Sequence, residues 1–384
     1  QDDSGASNNR SVSQTISIDV TAVNDNPIAK PDSFLTAEDT QLTGNVLADN
    51  GNGVDSDIDS STLQVTAGTL TTTAGGSVII DTNGDFSYTP ATNFTGADSF
   101  SYTLTDGDGG SATGSVSLTV GAINDAPILD LDADDSAAMG SGFSTSFTED
   151  GGAVAITDTD LSLSDIDDTT LESATISITN LQDGSAESLS VDLTGTAISA
   201  SYDDVSGVLT LTGSDSIANY QQALLSLTYN NSSQNPTSID RSISIVVNDG
   251  DTNSNVAIST VSIISVNDAP SASDNALSTN EDVALVFSTA DFGFNDVDGD
   301  GLSAVVIDGL PSNGTLALSG NAVTVNQVIT AADITAGNLI FIPAANANGS
   351  GYASIGFSVQ DDSGASNNRS VSQTISIDVT AVND

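Results

Sequence analysis

From Val12 to Val20 the chain alternates. Val12, Ile16, Ile18 and Val20 share one parity, and Ser13, Thr15, Ser17 and Asp19 take the other. Val116, Leu118 and Val120 repeat the pattern, as do Phe100, Tyr102 and Leu104, then Ile243, Ile245 and Val247, then Ile355, Phe357 and Val359. A period of two marks a strand with one buried face. Such strands recur along the whole chain, separated by Gly, Asn and Asp turns. About seven per domain, with turns every ~8–12 residues, predict all-β antiparallel sandwiches. Asn83-Gly84, set between Ser77–Thr82 and Asp85–Tyr88, predicts a type I′ hairpin. Two short helical turns are expected at Ser216–Leu225 and Thr330–Ala336.

Four near-identical tags punctuate the strands: Val23-Asn24-Asp25-Asn26-Pro27, Ile123-Asn124-Asp125-Ala126-Pro127, Val266-Asn267-Asp268-Ala269-Pro270 and Val382-Asn383-Asp384. Each follows an alternating strand, and a proline ends strand pairing. The tags read as junctions between three domains: 26–125, 126–268 (the larger) and 269–384. Each domain carries the same landmarks in the same order. A Glu-Asp pair comes early, then an Asp-(Ile/Val)-Asp triplet, then the alternating strand and a late acidic loop.

Residues 1–25 recur without a change as residues 360–384. An identity that long is not chance. It reads as a stretch of a tandem array, with 1–25 the last loop and strand of a preceding repeat copy. The apolar face of that strand has no partner within its own unit.

Composition narrows the chemistry. There are 52 acidic and 4 basic residues, a formal charge of −48, yet 38% of the chain is hydrophobic. A folded β protein fits better than disorder. Such charge repels nucleic acid and anionic membranes. No stretch approaches the ~18 apolar residues of a membrane span, so no membrane insertion is expected in this segment. Cysteine and histidine are absent, which removes thiol nucleophiles, the usual general base and the usual zinc ligands. Acidic pairs repeat at every junction, as an active site would not, so the chain reads as no enzyme.

The acidic landmarks are the candidate chemistry. The N-terminal junction would gather Asp2, Asp3, Asn24 and Asp25 with Glu38, Asp39, Asp57 and Asp59. The next would gather Asp106, Asp108, Asn124 and Asp125 with Glu149, Asp150, Asp165 and Asp167. The third would gather Asp249, Asp251, Asn267 and Asp268 with Glu281, Asp282, Asp296 and Asp298. This grouping supposes first and last strands that end at opposite poles of each sandwich. Calcium takes six to eight such oxygens. Turn chemistry explains any single Asp, but not the same acids beside every junction, where unneutralised carboxylates would repel. Asp296-Val297-Asp298-Gly299-Asp300-Gly301 opens like an EF-hand loop, but the twelfth place holds Ile307 and no helices flank it, leaving a local calcium loop as the alternative.

The junction tag resembles the cadherin interdomain motif. Gly84-Asp85-Phe86-Ser87-Tyr88-Thr89-Pro90, followed by Gly96-Ala97-Asp98-Ser99-Phe100-Ser101-Tyr102, resembles the cadherin-like repeats of giant bacterial adhesins secreted by the type I route. The resemblance implies immunoglobulin-like sandwiches joined end to end as an extended rod, with Ca2+ at each linker. The cadherin tag begins with Asp two residues before the Asn; here Ala22, Ala122, Ser265 and Ala381 stand there, and the mid-domain Asp-x-Glu has no match. Both departures imply fewer ions per junction. The leading expectation is a structural extender of an extracellular, cell-surface or secreted bacterial adhesin or fibre, roughly 100–130 Å long at strand rise. Its partners would be calcium and neighbouring repeat copies. The alternative is a module that binds surface glycans or pairs with other copies in a fibre. Aromatics are only 4% and Trp is absent, which argues against sugar stacking.

Overall fold

The computed structural model describes residues 3, 5, 7 and 12–383. The chain forms two compact units, Gln1–Asp125 and Ala126–Asp384. The first has one hydrophobic core and the second has two.

The first core lies between two four-stranded sheets. Its strands are β1 (Asp32–Ala37), β2 (Leu42–Asn45), β3 (Gln64–Val65), β4 (Gly68–Thr71), β5 (Ser77–Ile80), β6 (Asp85–Thr89), β7 (Gly96–Thr105) and β8 (Ser111–Gly121), in the orders β1-β8-β7-β3 and β2-β6-β5-β4. The alternation does what its period requires: Val116, Leu118 and Val120 are buried on β8 and their neighbours are exposed.

The second sandwich contains β9 (Ile128–Asp130), β10 (Phe143–Thr148), β11 (Val154–Ala155), β12 (Ser162–Ser164), β13 (Thr170–Ile178), β14 (Glu187–Ser190), β15 (Ser199–Asp203), β16 (Val208–Ser216), helix α1 (Ile217–Leu225), β17 (Thr228–Asn231), β18 (Arg241–Asn248) and β19 (Ala257–Ile264). Its main sheet runs β10-β19-β18-β13-β16-β15. Helix α1 matches the expected turn; the Ser216 side chain caps it by accepting from Asn219 N–H, and Tyr220, Ala223 and Leu224 face the core. Arg241 is fully buried. It donates to Asp183 at 2.7 Å, to Glu187, and to the carbonyls of Thr237 and Ile239. A buried guanidinium needs this saturation, because losing one partner would strand the other charge.

The third sandwich contains β20 (Asn275–Asn280), β21 (Leu285–Val286), β22 (Leu302–Gly309), β23 (Thr315–Leu318), β24 (Asn321–Ala322), β25 (Val328–Thr330), helix α2 (Ala331–Thr335), β26 (Leu339–Ile342), β27 (Gly349–Asp361) and β28 (Gln373–Thr380), in the orders β20-β28-β27-β22-β25 and β21-β26-β23-β24. Helix α2 falls in the second expected helical turn.

Two expectations change. The sandwiches are not wholly antiparallel: the long first strand pairs in parallel with the last in each, β1 with β8, β10 with β19 and β20 with β28. Both strands run from entry to exit, so they end at the same pole. The Asn83-Gly84 hairpin forms, but not as type I′. Gly84 N–H donates to Asp81 O at 3.0 Å, and of the loop only Gly84 has positive φ, at 85°. This is a turn followed by a left-handed glycine, the three-residue hairpin link. A Cβ on Gly84 would also meet Leu47 Cγ at 2.7 Å.

Residues 12–27 form no strand. Val12, Ile16, Ile18, Val20 and Val23 are all exposed. The identical residues Ile375, Ile377 and Val379 lie in β28 and are buried, while Val371, the equivalent of Val12, stays exposed. The parity reading therefore holds for three of the four apolar positions.

Candidate metal centre

The acidic residues sit where backbone topology sends them. Each Glu-Asp pair ends a first strand. Glu38, Glu149 and Glu281 donate their N–H to the last-strand carbonyls of Gly121, Ile264 and Thr380, each at 2.9 Å. Their carboxylates then accept the N–H of Ile123 at 2.7 Å, Val266 at 2.8 Å and Val382 at 2.7 Å, the first residue of the tag that leaves the same domain. The Asp that follows, Asp39, Asp150 or Asp282, takes the left-handed conformation with φ of 50°, 58° or 62°. Asp tolerates this at modest cost. Asp39 and Asp282 accept the N–H of Asn93 and Asn346, and Asp150 accepts from the Gln234 amide.

The pairs therefore belong to the exit pole of their own domain, not to its entry as the sequence grouping had it. Parallel pairing of first and last strands is the cause. The late loops are exchanged in the opposite sense: they lie at the entry pole, beside the triplet of their own domain.

At each entry pole the triplet is built on one plan, with the second donor one residue later in the third domain. One oxygen of Asp57 accepts from Asp59 and Ser60 N–H, one of Asp165 from Asp167 and Asp168 N–H, and one of Asp296 from Asp298 and Asp300 N–H. In all three residues the second oxygen, Oδ2, is buried and has no hydrogen-bond partner. A buried carboxylate oxygen without a donor is costly, and its threefold recurrence needs an explanation. The tag approaches through Asp25 N–H to Asp59 at 3.2 Å and Asp268 N–H to Asp298 at 2.6 Å. In the first unit Asn24 donates to Asp106 at 2.8 Å, and Asp106 also accepts from Asp108, Gly109 and Gly110 N–H. Asp106, not Asp2 or Asp3, is thus the late-loop acid beside Asn24. Asp3 is exposed, and Asp2 lies outside the described residues. Asp249 accepts from Asp251 and Thr252 N–H, and oxygens of Asp165, Asp168 and Asp249 lie within 4.8 Å of one another. Asp108 and Asp251 are themselves exposed and contribute backbone N–H groups. Asn124 and Asn267 each fold an amide onto the carbonyl of the next residue, Asp125 or Asp268.

The joint between the second and third sandwiches is the fullest assembly. Glu149 is 4% exposed and its Oε1 has no partner; the same holds for Oδ2 of Asp268 and Asp296. Burial raises the Glu149 carboxyl above its ordinary range, against the opposing Val266 N–H, and Asp268, Asp298 and Asp150 raise it further. Asp268 is raised by burial and then by Asp298, Asp150 and Asp296. Amides also cross this joint: Asn235 donates to Val297 O at 3.1 Å, and Asn367 pairs with Asn267. Among the described residues the ion pairs join Arg241 and Arg369 to acids elsewhere, and none reaches these clusters.

The sequence grouping left out Asp168, Asp361 and Asp362, and took in Asp300 only through the EF-hand-like opening at Asp296–Gly301. Asp300 is raised by burial, then by Asp296, Asp361, Asp362 and Asp298. Asp361 is 1% exposed with Oδ2 unpartnered. The signal was present, since Asp361-Asp362 occupies the late-loop place of the third domain. A further cluster, Asp132, Asp134 and Asp160, follows from the Asp130-Leu-Asp-Ala-Asp alternation. Donors saturate Asp132: Ser136, Ala137 and Ala138 N–H hold its carboxyl at about 2 despite burial. It pins a turn.

The donor sets are hard carboxylate oxygens, several of them buried without a hydrogen-bond donor, and this is the ligand type that calcium takes. Residues 24–119 match the family described as "Bacterial Ig domain", and residues 266–376 the family described as "Cadherin-like domain". The chain carries bacterial Ig and cadherin-like domains. No match was found among curated proteins. Among solved structures, protocadherin gamma B2 extracellular cadherin domains 1–5 are 13% identical over 95% of this chain and 62% of that one, with a TM-score of 0.46. The human desmocollin-1 ectodomain is 13% identical over 94% of this chain and 62% of its own, TM-score 0.29, and mouse clustered PcdhgC3 EC1-3 is 13% identical over 91% and 99%, TM-score 0.35. The chain thus spans less than two thirds of the first of these. No helix among the described residues is long and apolar enough to cross a membrane.

Proposed function

We propose that this segment is a structural extender of an extracellular bacterial adhesin or fibre, in which calcium fixes the angle between successive sandwiches. The observation that carries the reading is the joint between the second and third cores. Glu149, Asp150 and Asp268 come from one sandwich and Asp296 and Asp298 from the next, with three buried oxygens unsatisfied. The ion would supply the positive charge that this group lacks. Glu149 is anchored to the exit strand by its own N–H and by Val266, and Asp296 is anchored by two N–H donors, so a shared ligand set ties two rigid sheets together. Without neutralisation, the like charges push the two sides apart. The equivalent residues for the N-terminal tag are Asn24, Asp25, Asp57, Asp59 and Asp106.

Small-angle scattering on the whole chain, in calcium and then in excess chelator, tests the reading. A longer, narrower distance distribution in calcium, with calorimetric uptake of the ion, is expected. Identical scattering curves and no uptake would refute it.

A further inference from the structure

Gln234 and Asn235, adjacent in the loop between β17 and β18, grip both sides of the joint between the second and third sandwiches. The Gln234 amide donates to Asp150 Oδ1 at 3.0 Å. The Asn235 amide donates at 3.1 Å to Val297 O, the carbonyl between Asp296 and Asp298. This loop holds nine residues, 232–240, where the equivalent loops β6–β7 and β26–β27 hold six each, 90–95 and 343–348. The shorter loops meet the left-handed Asp with a backbone N–H, from Asn93 or Asn346. In the second sandwich a side chain takes that place, and the next residue reaches across the joint. The loop is tied down at its root. Asp183 accepts the Thr237 hydroxyl at 2.6 Å, the Thr237 N–H at 3.1 Å, the Asn231 amide at 2.7 Å and the buried Arg241 at 2.7 Å. Asn231, itself 4% exposed, accepts Ser233 N–H at 2.9 Å. Pro236 is buried, and the residue before a proline is held to extended conformations, so Asn235 loses little freedom on docking.

We propose that loop 232–240 is a brace that seats the Asp296–Asp298 loop against the second sandwich before any ion arrives. Asn235 makes the contact, and Thr237 and Arg241 are positioning residues that act through the loop. The brace itself needs no metal. What it serves rests on the calcium reading: ligands already held in place cost less to order when the ion binds. Without the ion the acids still repel, so the joint loosens, but it keeps this contact on one side and does not swing freely.

The test uses the full chain, whose lack of cysteine lets two spin labels be placed cleanly. Val205→Cys in the second sandwich and Val328→Cys in the third put labels at positions 84% and 55% exposed in the structure. Double electron–electron resonance then reads the distance distribution across this joint alone. In excess chelator, Asn235→Ala should broaden the distribution beyond that of the unmodified chain. Thr237→Val, which removes only the hydroxyl bond to Asp183, should broaden it less, and Ser238→Ala on the same loop should leave it as it was. Titrating calcium back should narrow the distribution, with the midpoint for Asn235→Ala about three- to tenfold higher, the worth of one amide–carbonyl hydrogen bond. Asn235 is exposed, so its replacement leaves both cores intact. The brace is overturned if Asn235→Ala keeps the unmodified width in chelator, or if Ser238→Ala broadens it as much; its anchoring is overturned if Thr237→Val keeps that width. The two readings fail separately: absence of ion uptake by the unmodified chain refutes the calcium reading, whereas equal widths in chelator refute the brace.

Discussion

Ile16 and Ile375 have the same nine residues on either side, yet one is bathed in solvent and the other is sealed in a core. Local propensity is identical, so it decides nothing here. What makes residues 373–380 a strand is the pair of neighbours, β20 and β27, that accept its backbone and bury its face. A strand alone gains neither. The same lesson applies to Glu149 and Glu281, which hold one position in two domains. Glu149 is crowded by Asp268, Asp298 and Asp150 and is raised by burial and their charge. Glu281 accepts from Asn348 and Val382, and those donors hold its carboxyl below the ordinary range. In both cases the motif is constant and the surroundings set the property.

The largest expected effect separates the two isoleucines. Ile375→Ala should cost about 2–5 kcal/mol of stability by cavity formation, and Ile16→Ala within about 0.5 kcal/mol. Urea denaturation followed by circular dichroism measures both. Equal losses would mean that the first copy is also packed in solution. Calcium removal comes next. At free ion 100 times Kd, binding contributes about 2.7 kcal/mol per site, so chelator should lower the unfolding midpoint of the 126–384 unit. Calorimetry reads this, and an unmoved midpoint breaks the calcium reading.

Glu149→Gln against Glu281→Gln sharpens the second comparison. In calcium, Glu149→Gln should weaken ion uptake about tenfold, roughly 1.4 kcal/mol. In chelator it should raise the midpoint slightly, because a crowded charge is gone; Glu281→Gln should bring no such relief. Matching behaviour of the two variants would show that their surroundings are equivalent.

The smallest effect is with pH. The folded values of Glu149 and Asp268 lie above the ordinary 4.5 and 3.8. Between the ordinary and raised values the folded state holds more protons than the unfolded chain, so acidifying into that window stabilises the metal-free joint. Glu281 has the opposite sign: its contribution is present above 4.5 and fades as pH falls through its lowered value. In calcium the first trend should reverse, since protons compete for the same oxygens. Thermal melts across acidic pH, with and without chelator, distinguish the two signs.

The core strands were legible. The alternation at 243–247 and 355–359 buries Ile243, Ile245, Val247, Ile355, Phe357 and Val359 as read. So were α1 and α2, because a Ser or Thr cap precedes each. The acids themselves were legible, since composition and spacing mark them. Their partition between poles was not. It depends on β10 lying parallel to β19, a long-range pairing that no local pattern states. The turn at Asn83-Gly84 also escaped, because Asn-Gly serves two hairpin geometries. The enclosure of Arg241 escaped as well: Asp183 and Glu187 lie 58 and 54 residues away in sequence.

The parallel ladder has a mechanical meaning. A domain pulled along the chain is gripped at the start of its first strand and the end of its last. In each sandwich six consecutive residues of the first strand face six of the last, from Asp32↔Val116 to Ala37↔Gly121, from Phe143↔Ser259 to Thr148↔Ile264, and from Asn275↔Ile375 to Asn280↔Thr380. Tension therefore loads the whole ladder in shear rather than peeling it open one bond at a time. The strand pair that gathers each Glu-Asp at the joint is also the clamp through which force must pass.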